Sequence, residues 1–237
     1  MNQNKRSFDI ILLGATGFTG RRAARYLRDN APDELSWAVA ARNAKTLATL
    51  ATELSIPSDR CFIVNSLHKD EMDLIATKAR VIITTVGPYS LYGESIIASC
   101  AEHGTHYLDI TGEVGFIKQM ADKYGAIAKT NKSIFIPFSG FDSVPAEVCL
   151  HLLSKRFKPT DEVYIKSFYS LKGGFNGGTI ATMMNKFETG EYKRMNDPRL
   201  AMDTDYQLLG EAIDRNYVGF NSDIKRWTTP FIMSAIN

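Results

Sequence analysis

The segment Gly14-Ala15-Thr16-Gly17-Phe18-Thr19-Gly20 constrains this chain more than any other feature. It follows the apolar run Phe8–Leu13 and leads into Thr19–Asn30, where Ala23, Ala24 and Leu27 share a helical face. A buried strand, a glycine turn and a helix, in that order, let backbone amides and the helix dipole hold a phosphate. The spacing is GxxGxxG. Gly14 suits the tight exit from the strand, Gly17 admits a pyrophosphate where a Cβ would stand, and Gly20 lets the helix pack closely on the strand. Thr16, Phe18, Thr19 and Arg21 are then the neighbouring contacts to a dinucleotide. The alternative is an ordinary glycine turn.

The rest of the first 140 residues favours the dinucleotide. Strands are predicted over Phe8–Leu13, Ser36–Ala41, Cys61–Val64, Val81–Val86, His106–Ile110 and Ser133–Phe138. Helices are predicted between them over Thr19–Asn30, Lys45–Ser55, Lys69–Lys78, Glu94–His103 and Gly115–Thr130. Such alternation implies βαβ units and a doubly wound parallel sheet of Rossmann type. Right-handed crossovers place helices on both faces, and the ligand crevice lies at the carboxyl ends of the strands.

Beyond Gly140 the pattern changes. Val144–Phe157 predicts a helix with Val148, Leu152 and Leu153 inward, Glu162–Ser170 alternates like a strand, and Thr179–Thr189 is again helical. Residues 190–237 read as helix and loop. The expected division is a dinucleotide-binding domain over 1–140 and an incomplete second α/β domain over 141–237, for substrate or oligomerisation.

Which dinucleotide follows from the end of the second strand. NAD-specific domains place a carboxylate there, on the ribose 2′-hydroxyl. Here the strand ends Ala40-Ala41-Arg42-Asn43, and a guanidinium is a fork suited to a 2′-phosphate. Arg21 could assist from the first helix. NADP(H) is therefore the expected cofactor, the alternative for Arg42 being a surface arginine. Val86-Gly87-Pro88-Tyr89 closes the fourth strand and borders the ribose and nicotinamide, Gly87 permitting close approach and Pro88 stiffening the turn.

Composition excludes other classes. Lys and Arg number 28 against 26 Asp and Glu, too balanced for a nucleic-acid footprint. Cys61, Cys100 and Cys149 are scattered, form no CxxC pair and sit in apolar stretches, which predicts reduced core residues and no zinc site. His68, His103, His106 and His151 lack metal-ligand spacing. The segment MNQNKRSFD has no apolar core of a signal peptide, and no run of about 18 apolar residues is present. A cytoplasmic protein without a transmembrane segment is expected.

The joint motifs GATGFTGR, AARN, TTVGPYSLYGESIIASCAEHGTHYLDITGE and PFSGFDSVPAE resemble the saccharopine dehydrogenase-like oxidoreductases, in the branch that includes the trans-acting enoyl reductases. The resemblance is dense over residues 8–150 and thinner through Gly177-Gly178-Thr179. It implies an NADP-type Rossmann domain followed by a second α/β domain that shapes the substrate site. Family members are longer, so the chain is expected to be part of such a protein.

Hydride transfer needs positioning and a proton source. Glu113 would suit a general acid if it faced an apolar nicotinamide pocket. Tyr89 and Tyr92 could bring hydroxyls to the reacting carbon, or simply pack on the turn. Asp109 either reaches the crevice edge or orders the following loop. Asp142 and Ser143 open a helix and could cap it or line the pocket, with Pro145 in the first turn. The catalytic candidates are Glu113, Tyr89 and Asp142. The expected function is an NADP(H)-dependent oxidoreductase acting on a carbonyl, imine or enoyl substrate, small or lipid-like, with peripheral membrane contact compatible with the latter. The alternative is a non-catalytic NADP(H)-binding sensor or scaffold. A homodimer is the expected assembly by base rate.

Overall fold

A computed structural model describes residues 6–158, 163, 165–170, 172, 177, 180, 184 and 218–229. Six parallel strands form one sheet: β1 (Phe8–Leu13), β2 (Trp37–Ala41), β3 (Cys61–Ile63), β4 (Ala79–Thr84), β5 (His106–Asp109) and β6 (Phe135–Ile136). Their order is β3-β2-β1-β4-β5-β6. The order reverses between β1 and β4, so a crevice opens where Leu13 and Thr84 end their strands side by side.

The helices follow the alternation of the strands. Ile11, Leu13, Ala38, Ala40 and Ile82 face one side, against α3 (Lys69–Lys78), α5 (Glu94–His103) and α6 (Val114–Thr130) through Met72, Ile75, Ile96, Ile97, Cys100, Phe116 and Met120. Leu12, Val39 and Ala41 face the other, against α1 (Phe18–Asn30) and α2 (Ala44–Leu54) through Ala24, Leu47, Leu50 and Leu54. Each fully buried Leu or Ile contributes roughly 1.5–3 kcal/mol. The small residues Ala38, Ala40 and Ala41 hold β2 between both layers.

Local signals end the helices. Asn43 caps α2 by accepting from the Thr46 amide at 3.0 Å, and Gly104, at φ +69°, closes α5. Arg6 donates to the carbonyls of Ala76 and His103, tying the last turns of α3 and α5 together. At the amino edge of β1, Asp9 accepts from the Ser36 hydroxyl at 2.8 Å, the Ser36 amide at 3.0 Å and Arg80 at 3.1 Å. These donors, the Ser36 hydroxyl first, hold its carboxyl below the ordinary 3.8. A carboxylate whose pKa falls on folding stabilises the native state above its unfolded value and loses that contribution as pH drops through the folded one. Asp9→Asn is therefore expected to lower the melting temperature near neutrality. Its difference from wild type should shrink in melts taken progressively below pH 3.8.

Several boundaries differ from the sequence reading. β4 ends at Thr84 because its ladder with β1 ends at Leu13, so Val86 lies in the loop. β6 contracts to Phe135–Ile136, the length over which β5 offers partners. The helix at Val144 ends at Ser154 and forms α7 (Val144–Ser154); Val148, Leu152 and Leu153 are exposed, not inward. The sequence pattern marks an apolar helix but not what covers it, and α7 buries no residue among those described. Cys149 on α7 is likewise exposed, whereas Cys100 is buried and Cys61 half-buried. Residues 163 and 165–170 form no strand; alternation supplies a face, but a strand also needs a paired ladder.

In the stretch read as helix and loop there is instead an antiparallel hairpin, β7 (Gly219–Asn221) and β8 (Arg226–Thr228). Its turn is built by Asn221, whose side chain accepts from the amides of Asp223 and Ile224 at 3.0 and 3.2 Å, and by Lys225 at φ +52°. An Asn-Ser-Asp turn signal was present, but strands of three residues are too short to announce themselves by alternation. Of the helix expected over Thr179–Thr189, Ile180 and Met184 are helical and the remainder lies outside the described residues.

Candidate functional site

Three loops meet at the carboxyl edge of the sheet: the glycine loop after β1, residues 85–93 after β4, and residues 110–113 after β5. The glycine loop leaves β1 with Gly14 at φ +86°. A Cβ there would lie 2.7 Å from Val86 Cγ2 and 2.9 Å from Thr85 Oγ1, so the first loop presses directly on the second. At Gly20 a Cβ would lie 2.1 Å from the Gly14 carbonyl oxygen, inside the backbone of the turn. The chain's own packing requires glycine at both positions.

Gly17 is different. It is exposed, has an ordinary extended backbone (φ −72°, ψ 172°), and an added Cβ would meet only the Gly14 oxygen, at 3.4 Å. Gly87 across the crevice is also exposed, and a Cβ there would meet only Tyr89, its ring at 3.4 Å and its backbone nitrogen at 4.0 Å. Neither glycine is demanded by the described residues. Between them starts α1, whose N-cap Gly17 makes no side-chain cap, so the amides of Phe18, Thr19 and Gly20 lack helical acceptors. The residues present therefore fit a pyrophosphate: free donors, a positive helix end, and space where side chains would stand.

Arg42 follows β2 at the same edge. It is exposed and makes no hydrogen bond or ion pair among the described residues. Arg21 is placed otherwise. Its guanidinium pairs with Glu53 at 3.2 Å, in the last turn of α2, and Arg25 pairs with the same carboxylate. The guanidinium thus points along the helices and away from the strand ends. Arg22, not singled out from sequence, lies over the exposed Phe18 ring at 3.7 Å. Thr16 and Thr19 are half-buried beside the turn, Val86 is half-buried against it, and Pro88, joined to Gly87 by a cis peptide, is buried.

Two of the three catalytic candidates have structural partners. Tyr89 is 5 % exposed, and its hydroxyl donates to the Thr84 carbonyl at 3.1 Å while accepting from the Ile110 amide at 3.4 Å. Burial, with the charge of Asp109 nearby, pushes the phenol well above its ordinary pKa. Glu113 is fully buried. One carboxylate oxygen accepts from the Tyr89 amide at 2.7 Å and the other from the Ser90 amide at 3.0 Å, at the start of the short helix α4 (Tyr89–Tyr92). Both Glu113 oxygens thus act as acceptors for fixed backbone donors. Tyr92, on the same helix, is half-buried with no hydroxyl partner among the described residues. Asp142, half-buried in the turn before α7, does not cap it; the N-cap is Ser143, without a side-chain cap bond.

Asp109 orders its neighbours. Fully buried, it accepts from the Tyr107 hydroxyl at 2.7 Å and from the Thr111 and Phe138 amides at 3.0 Å each. Burial raises its carboxyl pKa against the pull of these donors. Phe138 sits at φ +57°, a conformation costly for a bulky side chain and held by the bond to Asp109. The Asp73, Glu102 and His103 ligand atoms come close enough to hold a cation. Lys69 Nζ already bridges Asp73 and Glu102 at 2.5 and 2.7 Å, supplying that positive charge.

Residues 10–136 match the family model described as the saccharopine dehydrogenase NADP binding domain. The whole chain aligns at 32 % identity over 261 residues with a Mycobacterium tuberculosis protein whose name places it provisionally among the trans-acting enoyl reductases, covering 60 % of that relative. A Mycobacterium ulcerans trans-acting enoyl reductase is 31 % identical over 210 residues, covering 84 % of this chain and 50 % of the relative. A Caenorhabditis elegans lipid droplet localized protein is 33 % identical over 189 residues, covering 75 % and 44 %. The chain thus spans about three-fifths or less of the length of these relatives. Among solved structures, saccharopine dehydrogenase (L-Glu forming) from Saccharomyces cerevisiae superposes with a TM-score of 0.51 at 16 % identity, covering 62 % of this chain and 31 % of that one, a likeness of fold. The strand order, the glycine loop and the family match agree: this chain belongs to the saccharopine dehydrogenase family and carries its NADP-binding domain.

Proposed function

We propose that the chain is the cofactor-binding part of an NADP(H)-dependent oxidoreductase that reduces an activated alkene or carbonyl on a lipid-like substrate. The observation that carries this reading is Gly17, a glycine that no atom among the described residues requires, at the open start of α1. The α1 amides hold the pyrophosphate, with Gly14, Thr16, Gly17, Phe18, Thr19 and Gly20 around it. Arg42 pairs with the 2′-phosphate. Val86, Gly87 and Pro88 line the nicotinamide side, where the bound cofactor supplies hydride. With Tyr89 and Glu113 engaged elsewhere, Tyr92 and Asp142 are the groups left near the edge to supply a proton. Substrate class is drawn from the enoyl reductase and lipid droplet names of the relatives.

The domain division falls at residue 140. In support, the parallel sheet ends at Ile136, and α7 beyond it buries nothing among the described residues. The exposed face of α7 suits the second domain or a second copy of the chain. No helix among the described residues is long and apolar enough to cross a membrane.

The test is NADPH consumption by the purified protein across 2-enoyl, 3-keto and imine substrates on acyl carriers. Turnover of an enoyl or keto substrate with NADPH, and little with NADH, is expected. Tight NADPH binding with no turnover on any of them would favour the sensor.

A further inference from the structure

We propose that Glu113 is a positioning residue, holding the loop after β4 at the nicotinamide end of the crevice through two backbone amides; the inference rests on the cofactor reading above. Residues 107, 109, 111 and 113 alternate along β5 and the loop that follows it, and all four side chains are buried. They form a polar ladder. Tyr107 donates to Asp109, Asp109 accepts from the Thr111 amide, Thr111 accepts from the Glu113 amide, and Glu113 accepts from Tyr89 and Ser90. Side links tie Asp109 to Phe138 and the Ile110 amide to the Tyr89 hydroxyl. The loops after β4, β5 and β6 are thereby fastened to one another, and Glu113 is the rung that reaches the first of them.

The two carboxylates differ in the donors they meet. Both partners of Glu113 are backbone amides, which cannot reverse. A glutamine there would offer one oxygen and turn an NH₂ group against the other N–H, leaving a buried donor unpaired. Asp109 meets two amides on Oδ1 but a hydroxyl on Oδ2. An asparagine there keeps the amide bonds and donates to Tyr107, whose hydroxyl can rotate to accept. The same exchange, carboxylate to carboxamide, should therefore disturb one rung and spare the other.

The experiment compares wild type, Glu113→Gln and Asp109→Asn by calorimetric titration with NADPH and with 2′,5′-ADP, beside thermal melts. The second ligand occupies only the adenylyl half, on the Gly17 and Arg42 side. Glu113→Gln should weaken NADPH about tenfold while leaving 2′,5′-ADP within about twofold, and Asp109→Asn should lose less than about threefold on NADPH. Should Glu113→Gln not fold, Glu113→Asp, which keeps the charge but is too short to serve both amides, should show the same ligand-selective loss. Wild-type affinity for NADPH in the Glu113 variants, or equal weakening of both ligands, overturns the positioning role. A wild-type protein that binds neither ligand overturns the cofactor reading itself, and the positioning role with it.

Discussion

Gly17→Ala should leave the fold standing and remove most of the affinity for NADPH, whereas Gly20→Ala should unfold the loop itself. A methyl group at 17 meets only an oxygen at 3.4 Å, and the backbone there is extended. The expected stability cost is within about 1 kcal/mol, the scale of an N-cap change. On the proposed reading the same methyl group stands where the pyrophosphate approaches the α1 amides, and a loss of at least about tenfold in affinity, or roughly 1.4 kcal/mol, is expected. At Gly20 the Cβ would overlap the Gly14 carbonyl at 2.1 Å, an atom of the turn with nowhere to move. Overpacking of that kind costs about 3 kcal/mol or more. Urea melts and NADPH titrations of the two variants separate these effects. If Gly17→Ala binds NADPH as tightly as wild type, the phosphate is held elsewhere.

Arg42→Ala should raise the dissociation constant for NADPH roughly tenfold to a hundredfold and leave that for NADH unchanged. A charge-assisted bond to the 2′-phosphate is worth about 1.5–3 kcal/mol. Arg42 is exposed, so the effect belongs toward the lower figure and should shrink as salt rises. Arg21→Ala should do less, because the Arg21 guanidinium is committed to Glu53 and points away from the strand ends. Equal losses for NADPH and NADH in the Arg42 variant would remove the basis for choosing the phosphorylated cofactor.

The two variants test features of unequal legibility. Gly14, Gly17 and Gly20 look alike in the sequence, and their spacing suffices to announce a phosphate loop. Their division of labour does not show there. Two are required by the protein's own backbone and neighbouring side chains, and one is required by nothing among the described residues. Tyr89 and Glu113 have partners that the sequence does not announce. Their residue types suit proton transfer, and their place at strand ends is correct. Yet each side chain is bonded to backbone: the Tyr89 hydroxyl donates to the Thr84 carbonyl and accepts from the Ile110 amide, and the Glu113 carboxylate accepts from the Tyr89 amide 24 residues away. Asp109, by contrast, orders the loop that follows it, one of the two roles that its position allowed.

The linear order of residues determined the six strands of the parallel sheet, the helices between them, the glycine turn and a cation where NAD-specific domains carry an acid. Those are local matters: periodicity, turn stereochemistry and charge act over a few residues. Only the folded sheet decided which polar groups remain free at its carboxyl edge. It brings the ends of β4, β5 and β6 together, so that Tyr89, Asp109 and Glu113 satisfy one another's loops while Arg42 has no side-chain partner among the described residues. A buried hydrogen bond depends on where two segments meet in space, and no spacing along the chain encodes that meeting.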